Sequence, residues 1–337
     1  MIYIHVPFCR SFCTYCDFYS EIGCGGEAFV KELLEEIEAR SAEIAGTLER
    51  NTLYIGGGTP SVLPLSCLER IVKALEGFGH FEEFTIEVNP DDITPEYTLG
   101  LRKLGVNRVS MGVQCLDDRV LRWMNRRHTA SDAAKAFRTI REAGFDNVSV
   151  DVIFGLSADA AGYDTTVLEK TLEQILEWKP EHVSAYQLSI EEGSVLGSLT
   201  AEGKYREAPE ELCREQYYLI CRELGKAGYT HYEISNWALP GHESRHNSAY
   251  WTRTPYVSLG PGAHSLRTDG GCQVRSWNSP VLCGWKAESE TLSTEEIREE
   301  EIMLGLRTER GVVIDGKRQI IPEEDWFIAD NIIAGYL

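Results

Sequence analysis

The stretch Cys9-Arg10-Ser11-Phe12-Cys13-Thr14-Tyr15-Cys16 follows directly on the apolar run Ile2-Tyr3-Ile4-His5-Val6-Pro7-Phe8. β-Branched and aromatic residues make Ile2 to Val6 a strand, which Pro7 ends. Three cysteines at C-x3-C-x2-C spacing then occupy the loop behind it. Three neighbouring thiolates cannot all pair as disulfides, and their natural use is to converge on one polynuclear or soft metal centre. A [4Fe–4S] cubane held by three thiolates keeps one iron open for a small chelate, such as the amino and carboxylate groups of a methionine moiety. A zinc site with His5 as fourth ligand is the alternative. Structural zinc, however, usually arrives on two spaced cysteine pairs, and the chain has no second pair. Tyr15, beside the last cysteine, either lies along an adenine ring or only packs.

Downstream of this loop the chain alternates strand and helix patterns. An amphipathic helix runs from Ala28 to Ala45, a short strand from Thr52 to Ile55, and a helix from Ser66 to Leu75. A third strand, Phe84 to Val88, precedes a helix opened by Thr94 as N-cap with Pro95 at its first position. Strands at Arg108 to Val113, Val148 to Phe154 and His182 to Leu188 alternate with helices at Ser131 to Ala143 and Thr165 to Trp178. Six strand–helix units with short links imply a parallel sheet with crossover helices. Six is short of a closed eightfold barrel, so an α/β partial (β/α)6 TIM-like barrel is expected, with a doubly wound sheet as the alternative.

Polar residues collect at the strands' C-terminal ends: the cysteines after the first, Gly56-Gly57-Gly58-Thr59 after the second, Glu87 on the third, Gln114 on the fourth and Asp151 on the fifth. In either architecture that edge carries the ligand site. A single acid or amide there is ordinarily a helix cap, but five units pointing polar groups at one edge favour a site. The glycine triplet lets a backbone approach a ligand such as a methionine amino group or a nucleotide, or simply makes a tight turn.

The chain has 337 residues, 43% of them hydrophobic, with 33 basic and 53 acidic side chains for a net charge of −20. That acidity argues against nucleic acid or an anionic membrane as principal partner. Seven further cysteines (Cys24, Cys67, Cys115, Cys213, Cys221, Cys272 and Cys283) are scattered and form no disulfide framework, which suits a reducing compartment. No signal peptide and no apolar run of about 20 residues is visible, so a cytoplasmic protein is expected. After Leu199 the character changes. A helix from Pro209 to Ala227 leads to a strand-like Tyr229 to Trp237 and then to dense aromatics around His246-Asn247-Ser248-Ala249-Tyr250-Trp251. A lone loop histidine is ordinarily a surface or hydrogen-bonding residue, yet one histidine in an aromatic setting is also what a haem face needs. Thr294 is expected to cap a last helix reaching Leu306. The division expected is a barrel over 1–200, an aromatic-rich extension over 201–292 and a shortened helical domain over 293–337.

Taken in order, Tyr3-Ile4-His5-Val6-Pro7-Phe8-Cys9, the triad followed by Asp17-Phe18, the Gly-Gly-Gly-Thr-Pro turn, Glu87-Val88-Asn89-Pro90, Gly112-Val113-Gln114 and Asp151 to Leu156 resemble the radical S-adenosylmethionine (SAM) group that includes oxygen-independent coproporphyrinogen III oxidase. The resemblance covers roughly residues 1 to 310 and is strongest to the HemW-type haem-chaperone branch. The oxidase has an N-terminal extension before the barrel and a further cysteine where this chain has Phe18, whereas His246 to Trp251 matches the haem-binding H-N-x-x-Y-W pattern of the chaperones. By position, the resemblance gives Cys9, Cys13 and Cys16 to a [4Fe–4S] cluster. It gives Tyr3, Tyr15, Gly57, Gly58, Thr59, Glu87, Gln114, Arg126 and Asp151, more weakly Ala185, to SAM, and His246 to haem. Arg126 also fits chemically, since a guanidinium pairs with a carboxylate. The same resemblance implies transfer of haem to an acceptor protein, for example a respiratory haem enzyme, and leaves a homodimer open. A radical oxidoreductase acting on a porphyrin is the alternative function, and a zinc-stabilised barrel a third. The branch's C-terminal domain is longer, by on the order of 40 residues between Gly311 and Trp326.

Overall fold

Alternation along the strands sets up two faces, and the fold follows from where each face goes. In the computed structural model, which describes residues 1–23, 26–47 and 51–337, six strands lie parallel and side by side in chain order. They are β1 (Ile2–Val6), β2 (Thr52–Gly57), β3 (Glu83–Val88), β4 (Arg108–Gln114), β5 (Val148–Phe154) and β6 (His182–Gln187). Crossovers α1 (Gly26–Ala39), α2 (Leu65–Leu75), α3 (Pro95–Lys103), α4 (Ala130–Glu142) and α5 (Thr165–Trp178) link them. Ile2, Ile4, Val6, Leu53, Ile55, Ile86, Met111, Val150 and Val183 alternate outward into the buried layer beneath the helices. Phe8 meets Phe29 of α1 edge-on in that layer, with centroids 5.5 Å apart. The opposite face is polar: Tyr54, Glu87, Arg108, Ser110, Asp151 and Ser184 all turn inward.

The chain then completes the sheet from both edges. After α6 (Glu210–Lys226), β7 (Thr230–Glu233) and β8 (Asn236–Ala238) add antiparallel beyond β6. After α7 (Arg245–Trp251), β9 (Val257–Leu259) pairs parallel with β1. The nine strands run β9-β1-β2-β3-β4-β5-β6-β8-β7, and the edge strands do not pair with each other among the described residues. This is the expected partial barrel, and the stretch after residue 201 supplies three of its strands. A three-stranded sheet of β10 (His264–Asp269), β11 (Cys272–Asn278) and β12 (Ala287–Thr291) leads to α8 (Thr294–Gly305). The tail forms a hairpin, a 3-10 turn (Glu323–Ile328) and a short helix (Ala329–Ile333).

Several local expectations change. The first helix spans Gly26–Ala39 among the described residues and breaks there, with a separate short helix over Ser41–Ala45. The strand-like Tyr229 to Trp237 is two antiparallel strands with an irregular register at Asn236 and Trp237. Ser293 rather than Thr294 caps the last helix, its hydroxyl accepting from Glu296 N while Glu296 reaches back to Ser293. His246 sits on α7 rather than in a loop, because Ser244 caps that helix and the Glu83 carboxylate accepts the Arg245 and His246 N–H groups at 2.9 Å each. The nine described cysteines are all free thiols, and Cys24 lies outside the described residues.

A thiol-rimmed cavity at the strand C-termini

A cavity of about 690 Å³ opens at the C-terminal ends of the parallel strands, as the barrel architecture requires. The cysteine loop forms one wall and is pinned by the segment after the short helix Asp118–Trp123. Thr14 N donates to Met124 O at 3.0 Å and Thr14 Oγ1 to Trp123 O at 2.7 Å, while Asn125 Nδ2 donates to Phe12 O at 2.7 Å. Cys16 N reaches back to Cys13 O, turning both side chains toward the cavity.

Each thiol has a distinct neighbour. Cys9 Sγ lies 3.4 Å from Thr59 Oγ1, and Arg126 Nη1 donates to Cys13 Sγ at 3.4 Å. Burial pushes the Cys16 thiol up to about 11, with Cys13 and Cys9 adding to it. Such a thiol ionises when a metal takes its electron pair. Gly57 and Gly58 make room beside the triad. A Cβ on Gly58 would meet Phe8 O at 2.8 Å and Cys9 Sγ at 3.1 Å, and Gly57 has φ +114. Arg126 donates from Nη2 to Asn89 Oδ1 and, at 2.6 Å, to Gly112 O. Burial works against its charge, but Tyr15 and Cys13 hold its pKa above the usual arginine range. Its buried Nε has no partner among the described residues, a free donor beside the thiols.

Deeper in, two carboxyls share the cavity floor. Tyr54 OH donates to Glu87 Oε1 at 2.8 Å and Gly57 N to Oε2 at 3.2 Å, yet burial pushes Glu87 up to about 7. Ser110 donates to Asp151 at 3.2 Å, and burial raises Asp151 to about 6. Arg108 lies close enough to stabilise both carboxylates. The rim is apolar and exposed at Phe12, Phe18 and Tyr186.

The cavity therefore gathers Cys9, Cys13, Cys16, Tyr15, Gly57, Gly58, Thr59, Glu87, Gln114, Arg126 and Asp151. It does not gather Tyr3, whose ring stacks on Tyr54 from behind and whose hydroxyl meets His5 Nδ1 at 3.2 Å. Nor does it gather His246, which is fully buried at the opposite ends of the strands. Its Nδ1 meets Thr52 Oγ1 at 2.9 Å and its Nε2 Tyr250 OH at 3.0 Å. Thr52 and Gly57 begin and end β2, so at about 3.3 Å per residue His246 lies roughly 16 Å below the thiols. Burial holds its imidazole down at about 3, neutral. From this motif only Asn247 reaches the cavity. His5 does not join the triad either, since Tyr3 OH and Tyr19 O occupy its two ring nitrogens. The one group of His, Cys and acidic side chains among the described residues with ligand atoms mutually within 4.8 Å lies elsewhere, at Cys221, His231 and Glu323. Sequence reading missed Tyr54, Arg108, Ser110 and Ser184, whose signal is the polar half of each strand's alternation.

Comparison with known proteins places this geometry. The Radical SAM superfamily model matches residues 3–159. The Heme chaperone HemW of Lactococcus lactis is 34% identical over 322 residues, covering 93% of this chain and 83% of that protein. The chain belongs to the HemW family. The Bacillus subtilis Heme chaperone HemW is also 34% identical, covering 92% of this chain and 84% of its own. A bovine relative, radical S-adenosyl methionine domain-containing protein 1, mitochondrial, is 32% identical over 96% of this chain and 76% of its own. The solved coproporphyrinogen III oxidase HemN of Escherichia coli superposes with a TM-score of 0.79 across all of this chain and 90% of its own. At 20% identity that likeness shows the shared fold alone. No helix among the described residues is long and apolar enough to cross a membrane.

Proposed function

We propose that the protein is a haem chaperone that holds a [4Fe–4S] cluster and SAM in the thiol-rimmed cavity, binds haem, and passes it to an acceptor protein. The observation that carries this reading is a polar, thiol-bearing cavity under an exposed aromatic rim in a member of the HemW family. Cys9, Cys13 and Cys16 would hold the cluster. Gly57, Gly58 and Thr59 would admit the methionine end of SAM, Arg126 would supply a donor for its carboxylate, Tyr15 an aromatic face for the adenine, and Glu87, Gln114 and Asp151 would line the rest. A reduced cluster with SAM supplies one-electron chemistry; the chain itself binds, orients and excludes water. Phe12, Phe18 and Tyr186 offer an exposed apolar surface for a porphyrin face. His246 ligates haem only if Tyr250 yields its place on Nε2.

Glu87 makes SAM binding depend on pH. Below about 7 its carboxyl is protonated and neutral, and above it the negative charge attracts the sulfonium and ammonium of SAM. Affinity of the cluster-loaded protein is expected to rise by about threefold to tenfold from pH 6 to pH 8. Glu87→Gln should flatten that rise, as equilibrium dialysis at the two pH values would show; an unchanged slope in the variant removes Glu87 from the ligand's surroundings.

The test of the function is an anaerobic haem titration of the reconstituted protein beside His246→Ala and Tyr250→Phe. Stoichiometric uptake by the wild type is expected; its loss in His246→Ala with uptake kept in Tyr250→Phe would place the haem at that histidine. Uptake equal in His246→Ala moves the haem to the aromatic rim. No uptake by any form overturns the chaperone reading in favour of a radical oxidoreductase, for which 5′-deoxyadenosine release from SAM is the assay.

A further inference from the structure

Away from the main cavity, the tail folds back over the sheet edge formed by β7 and the end of α6. There Cys221 from α6, His231 from β7 and Glu323 from the 3-10 turn bring their ligand atoms within 4.8 Å of one another. His231 Nδ1 lies 2.9 Å from Glu323 Oε1 and 3.8 Å from Cys221 Sγ. Tetrahedral Zn2+, with Zn–S near 2.3 Å and Zn–N and Zn–O near 2.0 Å, needs donor separations of about 3.3–3.6 Å. The two separations from His231 Nδ1 sit within a few tenths of an ångström of that, and Cys221 Sγ lies within 4.8 Å of the Glu323 carboxylate. Glu323 is exposed and its side chain can supply the adjustment.

The imidazole is held as a metal ligand is held. It stacks on Trp237, with centroids 4.0 Å apart and planes at 13°, and Trp326 closes on it at 4.3 Å. Its far nitrogen, Nε2, faces Ile234 O at 3.4 Å, the partner that fixes a tautomer with the Nδ1 lone pair free for an ion. A ring so placed faces an oxygen at each nitrogen, and either a second proton or a metal cation at Nδ1 satisfies both. The space around the three donors is a solvent-open cavity of about 440 Å³, which Glu309 also lines. It leaves the fourth position to water or to that second carboxylate.

We propose that Cys221, His231 and Glu323 form a binding site for a zinc-class divalent ion, which staples the tail from Ile320 onward to α6 and β7. The thiolate excludes Mg2+ and Ca2+, and the mixed sulfur, nitrogen and oxygen set suits a tetrahedral borderline ion. The site is independent of the cluster triad and of the haem reading. Its role is mechanical, because β7 is an edge strand of the nine-stranded sheet and the tail covers it. Tyr218 OH on α6 donates to Glu324 O, while Trp326 Nε1 donates to Ile321 O within the tail, so the ion joins an already docked segment.

The experiment uses the full chain with its triad occupied by reconstituted iron and sulfide. The protein is equilibrated with Zn2+, desalted and assayed for zinc, and titrated with Zn2+ against a chromophoric chelator. About one equivalent retained by the wild type is expected. Cys221→Ser should lose it, and Glu323→Gln should weaken it by about tenfold or more. Limited proteolysis should show zinc protecting the tail in the wild type alone. Because Glu323 is exposed, its variant keeps the test valid if Cys221→Ser folds poorly. Zinc bound equally by the wild type and both variants, or by none, overturns the proposal and leaves His231 and Glu323 an ion pair with a proton between them.

Discussion

Cys13→Ala is expected to leave the protein unable to retain an iron–sulfur cluster, with iron and sulfide falling to background after anaerobic reconstitution and desalting. Cys13 is one corner of the triad and the one whose sulfur Arg126 touches, at 3.4 Å. Without it two thiolates remain, and the buried guanidinium loses the partner that helps keep its pKa high. Two corners do not fix a cubane that needs three protein thiolates and one exchangeable position. The thiol is only half-buried, so the apo fold should change by less than about 1 kcal/mol. Cys67→Ala is the matched control. That thiol packs into the core against Gly26 on α1, so its loss should cost about 1 kcal/mol of stability and no cluster. Cluster retained by Cys13→Ala, or lost equally by Cys67→Ala, would sink the assignment of the triad. Visible absorption together with iron analysis reads both outcomes.

The triad was legible because its spacing is dense and its chemistry has few uses. The strand-end polar residues were legible because a parallel sheet sends its C-terminal ends to one side. Thr94 was read correctly as a cap, its hydroxyl accepting from Tyr97 N at 3.1 Å. Beyond the strand ends the interior polar face was not read, although Thr85 and Ser110 stand two and four residues before Glu87 and Gln114. Buried parallel strands are expected to be apolar on both faces. Here the inner face surrounds a ligand cavity, and a buried arginine such as Arg108 is tolerated because carboxylates share the cavity with it. Position along the barrel axis was also hidden. The aromatic run around His246 gives its composition, but which end of the strands it closes depends on Glu83 and Thr52, both far away in sequence. His246 thus stands as a polar plug of the barrel in this conformation, and any haem role for it has to compete with Thr52 and Tyr250.

Arg126 carries the other large effect. Arg126→Leu is expected to weaken SAM binding by about a hundredfold, since a hydrogen bond to a charged group contributes about 1.5–3 kcal/mol and the guanidinium also supplies the charge. It should also loosen the loop that holds the cluster. Nη2 joins Asn89 on the turn after β3 to the Gly112 carbonyl on β4, and Nη1 reaches the Cys13 sulfur. Leucine leaves all three acceptors without that donor in a buried place. Arg126→Lys separates the two contributions, because it keeps a positive charge and gives up the planar fork. An ammonium cannot serve Asn89, Gly112, Cys13 and an incoming carboxylate together. The lysine variant should therefore bind SAM about tenfold more weakly than the wild type and more tightly than the leucine variant. Equilibrium dialysis of the three reconstituted proteins orders them, and iron content measured in parallel keeps a loss of cluster from passing as a loss of affinity. Wild-type affinity in Arg126→Lys would mean that only charge matters at this position. Wild-type affinity in Arg126→Leu would mean that the free Nε faces no ligand at all, and the methionine end of SAM would have to be placed elsewhere along the cavity wall.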